Sequence, residues 1–268
     1  MNGPVTPQTC FEQASVDPVS PMVIDQLPVI DLDLASMREK GFVTFDGTDQ
    51  RSRPFKLLRA KLLRELAETN AQLIGITSPA PAAGKSFIST NLAASIAQVH
   101  PRPVVLVDLD LKRATVAKNL GHTVSNGVEE FLQGKITNLA ETSKRVNGVN
   151  LIVIPARSVE GDSAEVINNQ SLEKLFQQLA MLVPDHLVIF DLPPILANDD
   201  AISIIKHLDA YMMVIDGMSS KRQQVITAFD FARPDKCIGT IFNRYRGSIL
   251  DQSGYGYFGN EYTGYYSK

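Results

Sequence analysis

Gly84-Lys85-Ser86 is the tripeptide best equipped for chemistry in this chain. It follows an apolar run, Leu73-Ile74-Gly75-Ile76-Thr77, and a loop of small residues and proline, Ser78 to Ala83. A glycine there lets backbone N–H groups approach a phosphate closely, and the first turn of a following helix aims further N–H groups at the anion. Lys85 can then reach the β- and γ-phosphates, and the Ser86 hydroxyl can ligate Mg²⁺. The bland alternative is a chance Gly-Lys-Ser before a surface helix. The strand pattern before it and the helical spacing of Leu92, Ile96 and Val99 after it favour the phosphate loop. Lys85 is expected to face solvent in that loop.

Carboxylates recur where a metal would be held. Val104-Val105-Leu106-Val107 runs into Asp108-Leu109-Asp110, and Leu187-Val188-Ile189-Phe190 runs into Asp191. An acid at the carboxyl end of a strand can hold Mg²⁺ directly or through water, beside a phosphate loop. Each could instead merely cap a turn. Three of them after one phosphate loop favour the metal role for Asp108, Asp110 and Asp191.

The elements that must position these groups follow from hydrophobic patterning. Strands are expected at 73–77, 104–108, 151–155, 187–191, 211–215 and 238–243, with helices near 86–98, 171–182, 200–206 and 221–231. Near-continuous apolar strands alternating with helices predict an α/β fold, a mostly parallel sheet with helices on both faces. Such sheets bind ligands beyond the carboxyl ends of their strands, where the loop falls. Residues 1–53, rich in proline and polar residues, read as an extended arm, residues 54–246 as the nucleotide-binding domain, and 247–268 as a tail.

With 268 residues and a net charge of −3, the chain has room for one α/β core. The charge argues against a nucleic-acid partner. Cys10 and Cys237 form no metal or redox motif, and His100, His122, His186 and His207 lack ligand spacing. No signal-peptide pattern or bilayer-length apolar run is present, so a cytoplasmic location is expected. Basic residues over Arg51–Arg64 read as a solvated helix face, with a subunit contact as the alternative. The apolar stripe Phe55, Leu58, Leu62 and Leu66 of the same helix reads as core packing.

The tail discriminates among functions. Five of the seven tyrosines, Tyr255, Tyr257, Tyr262, Tyr265 and Tyr266, fall in the last fourteen residues, interleaved with glycine. Alone this could be a low-complexity end able to stack. Joined to an ATP-binding domain, it reads as a mobile run of phosphorylatable hydroxyls.

Over residues 54–268 these features resemble the bacterial tyrosine kinases of capsule and exopolysaccharide synthesis. The resemblance rests on the loop, Val107-Asp108-Leu109-Asp110-Leu111-Lys112-Arg113, Ile189-Phe190-Asp191-Leu192-Pro193-Pro194, Asn91-Leu92-Ala93, Ile241-Phe242-Asn243-Arg244 and the tyrosine cluster. It implies a P-loop fold of the deviant Walker, Min/Par-like group and an ATP-dependent protein-tyrosine autokinase using Mg²⁺. Lys85, Asp108, Asp110 and Asp191 are the implied catalytic set, with Asp110 activating the acceptor hydroxyl. Ala82, Ala83, Gly84, Lys85, Ser86, Phe87, Asn243 and Arg244 are the implied nucleotide-binding set, with Asn243 toward adenine. Ser86, Asp108 and Asp191 are the implied metal set. It also implies a separate membrane chain-length-determinant (co-polymerase) activator that would keep the chain at the inner face of the plasma membrane, a homo-oligomer that can be a ring, and a tyrosine phosphatase as counter-enzyme. The alternative function is an ATP-switched binding module without kinase activity. Two departures stand out. Ala82 takes the place of a family glycine and would be strained at positive φ. The ring-assembly pattern E-x-x-R-x-x-R falls on Arg53, Lys56 and Arg59, without its acidic member.

Overall fold

The computed structural model describes residues 23–182 and 186–245. The tail tyrosines Tyr255, Tyr257, Tyr262, Tyr265 and Tyr266 lie outside the described residues. Eight strands form one sheet: β1 (Val29–Ile30), β2 (Leu73–Thr77), β3 (Val104–Asp108), β4 (Lys144–Val146), β5 (Leu151–Ile154), β6 (Leu187–Asp191), β7 (Ala210–Asp216) and β8 (Cys237–Asn243). Their spatial order is β1-β4-β5-β3-β6-β2-β7-β8. Every pairing is parallel except β4 with β5.

The helices are α1 (Leu34–Glu39), α2 (Arg53–Thr69), α3 (Lys85–Ala97), α4 (Val116–Asn119), α5 (Val128–Leu132), α6 (Asn169–Leu182), α7 (Asp200–Ile205) and α8 (Arg222–Phe231). They cover both faces, which explains why the strands are apolar at every position rather than at alternate ones. On β3, Val105 and Val107 pack in the cluster with α5, α6, α7 and α8, whereas Val104 and Leu106 pack in the cluster with α1, α2 and α3. Helix α3 is enclosed nearly all round, from Ile88 to Ala97. Truncating a fully buried side chain there, such as Leu92, would cost about 2–5 kcal/mol.

The six expected strands are all present, with ends shifted by at most one residue. Two were not expected, β1 and β4, because two and three residues are too short to show a period. The expected arm over residues 1–53 is corrected in its second half. Leu27, Ile30, Met37, Phe42, Val43 and Phe45 are buried, and β1 adds a strand beside β4. Prolines and acids separate these apolar residues, so no period betrays the packing. Residues 1–22 lie outside the described residues.

One side chain ties this segment down. Asn91, wholly buried in α3, accepts hydrogen bonds from the Val43 and Thr44 N–H groups and the Thr44 hydroxyl, and donates to the Gly41 carbonyl. Each such buried bond is costly to leave unmade. Phe42 rests on Phe87, with ring centroids 5.4 Å apart. On α2, Lys56 donates to the Gly47 carbonyl and Arg59 to the Ser95 carbonyl, so both basic residues of the ring-assembly pattern are engaged within the chain.

Candidate active site

The carboxyl ends of β2, β3, β6 and β7 bring the sequence-derived groups to one sheet edge. The chain leaves β2 at Thr77, whose hydroxyl donates to the Pro193 carbonyl after β6 and so fixes the two strand ends together. The loop then turns through two residues of positive φ, Ala82 at 65° and Gly84 at 88°. Gly84 is required twice over: the left-handed backbone favours it, and a Cβ there would lie 2.2 Å from the Asn243 amide nitrogen. Ala82 has no such exemption, and non-glycine residues in this region store about 1–3 kcal/mol. The strain expected if Ala82 took positive φ is therefore present.

Lys85 does not face solvent as expected. It is 6% exposed and its Nζ lies 2.5 Å from Asp110 Oδ2 and 3.9 Å from Asp191 Oδ1. Burial is the largest influence on this amine and lowers its pKa, but Asp191, Asp110 and Asp108 together outweigh burial and leave it raised. The ammonium is a fixed positive charge among three carboxylates.

Those carboxylates differ in their bonding. Asp108 accepts the Thr115 and Val116 N–H groups at Oδ2, both at 3.0 Å, and the Asp110 N–H at Oδ1 at 3.2 Å. It is fastened to the chain entering α4, and, like Asp191, it lies behind the residues that line the cleft. Asp191 sits opposite it in β-register. Both Asp191 oxygens are buried without a hydrogen-bond partner among the described residues. The Ser86 and Ser89 hydroxyls favour its charged form without reaching bonding geometry. Burial, first of all, pushes the pKa of both acids up, and for Asp108 the charge of Asp191 adds to it.

A cleft of about 340 Å³ opens over this group, lined by Gly84, Lys85, Ser86, Asp110 and Arg113 and walled by Phe42. An orphaned carboxylate beside a lysine and a serine hydroxyl is a donor set that fits Mg²⁺, an oxygen-seeking ion. Asp191 offers unpartnered oxygens beside the Ser86 hydroxyl, whereas Asp108, expected with them in the metal set, already accepts three backbone N–H groups.

Asn243 and Arg244, expected on the nucleotide, hold the loop, and Arg244 also lines the cleft. Asn243 Nδ2 donates to the Ala83 carbonyl, and Arg244 Nη1 donates to the Ala82 carbonyl, both at 2.9 Å. The same Nη1 reaches Asp216 Oδ2 at 3.0 Å. Asp216 and Phe42 are site residues that sequence reasoning missed. Asp216 ends an apolar strand as Asp108 and Asp191 do, and that signal could have found it.

The mostly parallel sheet, with a Gly-Lys-Ser turn after β2 and acids at the ends of β3 and β6, has the fold of P-loop ATPases of the Min/Par type. The structure of the Pyrococcus horikoshii septum site-determining protein MinD complexed with Mg-ADP shares this fold, at TM-score 0.55 and 21% identity over 66% of this chain and 72% of that one. The chain is also similar in sequence to bacterial tyrosine-protein kinases. It is 28% identical over 219 residues to the tyrosine-protein kinase Wzc of Salmonella typhimurium, covering 80% of this chain and 30% of that protein. It is 29% identical to YwqD of Bacillus subtilis, covering 78% of this chain and 87% of that protein. The kinase domain of the Escherichia coli tyrosine kinase ETK superposes at TM-score 0.68 with 25% identity, over 77% of this chain and 82% of that domain. The chain thus spans under a third of Wzc and nearly all of YwqD. No protein-family model matches it.

Proposed function

We propose that the chain is an ATP-dependent protein-tyrosine autokinase whose acceptors are its own C-terminal tyrosines. The observation that carries this reading is the packing of Lys85 against Asp110 and the orphaned Asp191 beneath the Gly84 turn. Kinship with the tyrosine kinases supports the choice of acceptor.

Without nucleotide, Lys85 is held by Asp110 and Asp191. A bound triphosphate competes for the ammonium, drawing it toward the β- and γ-phosphates and freeing Asp110. N–H groups of the first turn of α3 add fixed dipoles to the same anion. Mg²⁺, held by Ser86 and Asp191, would neutralise charge on the bridging phosphates. A tyrosine Oη then attacks the γ-phosphorus as the bond to the β-bridging oxygen breaks. ADP leaves, and Asp110 takes the phenol proton. Positioning and charge neutralisation supply most of the acceleration.

In this reading residues 54–246, with the packed segment 27–53, carry the catalytic domain and residues 247–268 the acceptor tail. The kinship supports a membrane co-polymerase as activator, a location beneath the plasma membrane, a homo-oligomer and an opposing phosphatase. No helix among the described residues is long and apolar enough to cross a membrane. Each phosphate adds about −1.5 to −2 charges to the tail, so repeated modification would loosen subunit contacts.

Mass spectrometry of the full chain incubated with MgATP tests the proposal. Phosphotyrosine among Tyr255–Tyr266 in the parent, and none in Lys85→Met, is the expected result. ATP hydrolysis with no phosphotyrosine would instead identify an ATP-switched binding module.

A further inference from the structure

Arg244 follows the last strand of the sheet, yet its guanidinium reaches back to the phosphate loop. Nη1 bridges two acceptors, the Ala82 carbonyl and the Asp216 carboxylate. Asp216 is itself fixed, buried and accepting the Met218 N–H at Oδ1 and the Ser219 hydroxyl at Oδ2. Arg244 takes the left-handed conformation, φ 55°, in making the bridge. The residue whose carbonyl it grips is the one strained position of the loop, Ala82 at φ 65°. A loop residue in that conformation reverts to ordinary backbone angles unless its surroundings over-determine it. Glycine would need no such restraint, because it enters the region freely. Alanine does need it, and the grip falls on that residue's own carbonyl.

We propose that Arg244, braced by Asp216, is a positioning residue that holds the alanine-containing phosphate loop in its anion-binding shape. Arg244 also lines the cleft, and its bridge lets the ends of β7 and β8 act on nucleotide binding through the loop backbone. Asn243 supports the neighbouring Ala83 carbonyl in the same way. The arrangement also joins the loop to the point where the chain continues toward its tail. The proposal deepens the reading of this cleft as a nucleotide site and rests on it for its affinity arm, though not for its exchange arm.

Two measurements on the full chain test it. In the ligand-free protein, amide hydrogen exchange of residues 80–85 should quicken in Arg244→Ala, with partial recovery in Arg244→Lys, whose single amine can reach the Ala82 carbonyl. Unchanged exchange would overturn the proposal whether or not nucleotide binds. In equilibrium titrations with a fluorescent ATP analogue, Arg244→Ala should weaken binding ~10-fold in the parent background, within the range set by the strain it restrains. In the Ala82→Gly background the same change should cost under about 3-fold, because glycine removes the strain. An equal loss in both backgrounds would overturn the proposal and assign Arg244 a direct contact with nucleotide. A parent chain that fails to bind the analogue would refute the nucleotide site itself, leaving the exchange result to decide the loop's restraint.

Discussion

Asp108 and Asp191 stand side by side on adjacent strands, in register, both wholly buried and both at the end of an apolar run. Their surroundings nevertheless give them opposite tasks. Asp108 accepts three backbone N–H groups and shapes the turn into α4. Asp191 has no hydrogen-bond partner and a lysine 3.9 Å away. A satisfied buried carboxylate stabilises a fold, and an orphaned one stores free energy that a cation can release. In the proposed reading, the count of donors around each acid, rather than its place at a strand end, marks Asp191 for the metal.

The largest effect should come from the group both acids face. Lys85→Met should remove phosphoryl transfer to below detection. It should also destabilise the ligand-free chain by about 3–5 kcal/mol near neutral pH, the cost of leaving buried carboxylates without their cation. Thermal unfolding beside the kinase assay checks both parts. Loss of activity with an unchanged Tm would mean that Lys85 is not buried in solution.

Asp110→Asn should lower turnover ~10²-fold or more while leaving nucleotide affinity nearly intact, as for a group that handles a proton. Equal losses in binding and turnover would place it in the binding set instead.

The two strand-end acids should then part company. Asp108→Ala strands the Thr115 and Val116 N–H groups and should cost about 1–3 kcal/mol of stability, read by denaturant unfolding. Asp191→Asn should raise the Tm of the ligand-free chain, because burial of this carboxylate without hydrogen bonds outweighs its attraction to Lys85. Its sign with pH follows from the upward shift of the folded-state pKa. An acid shifted upward gives its stabilisation below the unfolded value and loses it as pH rises through the folded value. The Tm advantage of Asp191→Asn should therefore widen as pH rises above the ordinary carboxylate range, and Mg²⁺ with ADP should erase it. A gap that narrows with rising pH would contradict the assignment.

The smallest effect concerns the segment that walls the cleft through Phe42. Asn91→Ala should loosen residues 41–45, detected as faster amide exchange there, with a stability loss of about 1–3 kcal/mol.

The sequence announced the strands and the loop because burial on both faces writes unbroken apolar runs, as in Val104–Val107. Gly84, Lys85, Ser86, Asp110 and Asp191 were legible for the same reason: each sits just past such a run. What was hidden depends on partners distant in sequence. The burial of Lys85 is decided by Asp110 and Asp191, and the docking of residues 41–44 by Asn91. Arg244 showed no periodic signal, and its hold on Ala82 spans more than 150 residues of chain.

Calorimetric titration of ADP into the parent, Asp108→Asn and Asp191→Asn chains, each with and without Mg²⁺, tests the central contrast most directly. The account predicts that Mg²⁺ strengthens ADP binding to the parent and to Asp108→Asn, and that the strengthening disappears in Asp191→Asn. Retention of the Mg²⁺ effect in Asp191→Asn, with its loss in Asp108→Asn, would reverse the roles assigned to the two acids and contradict the account.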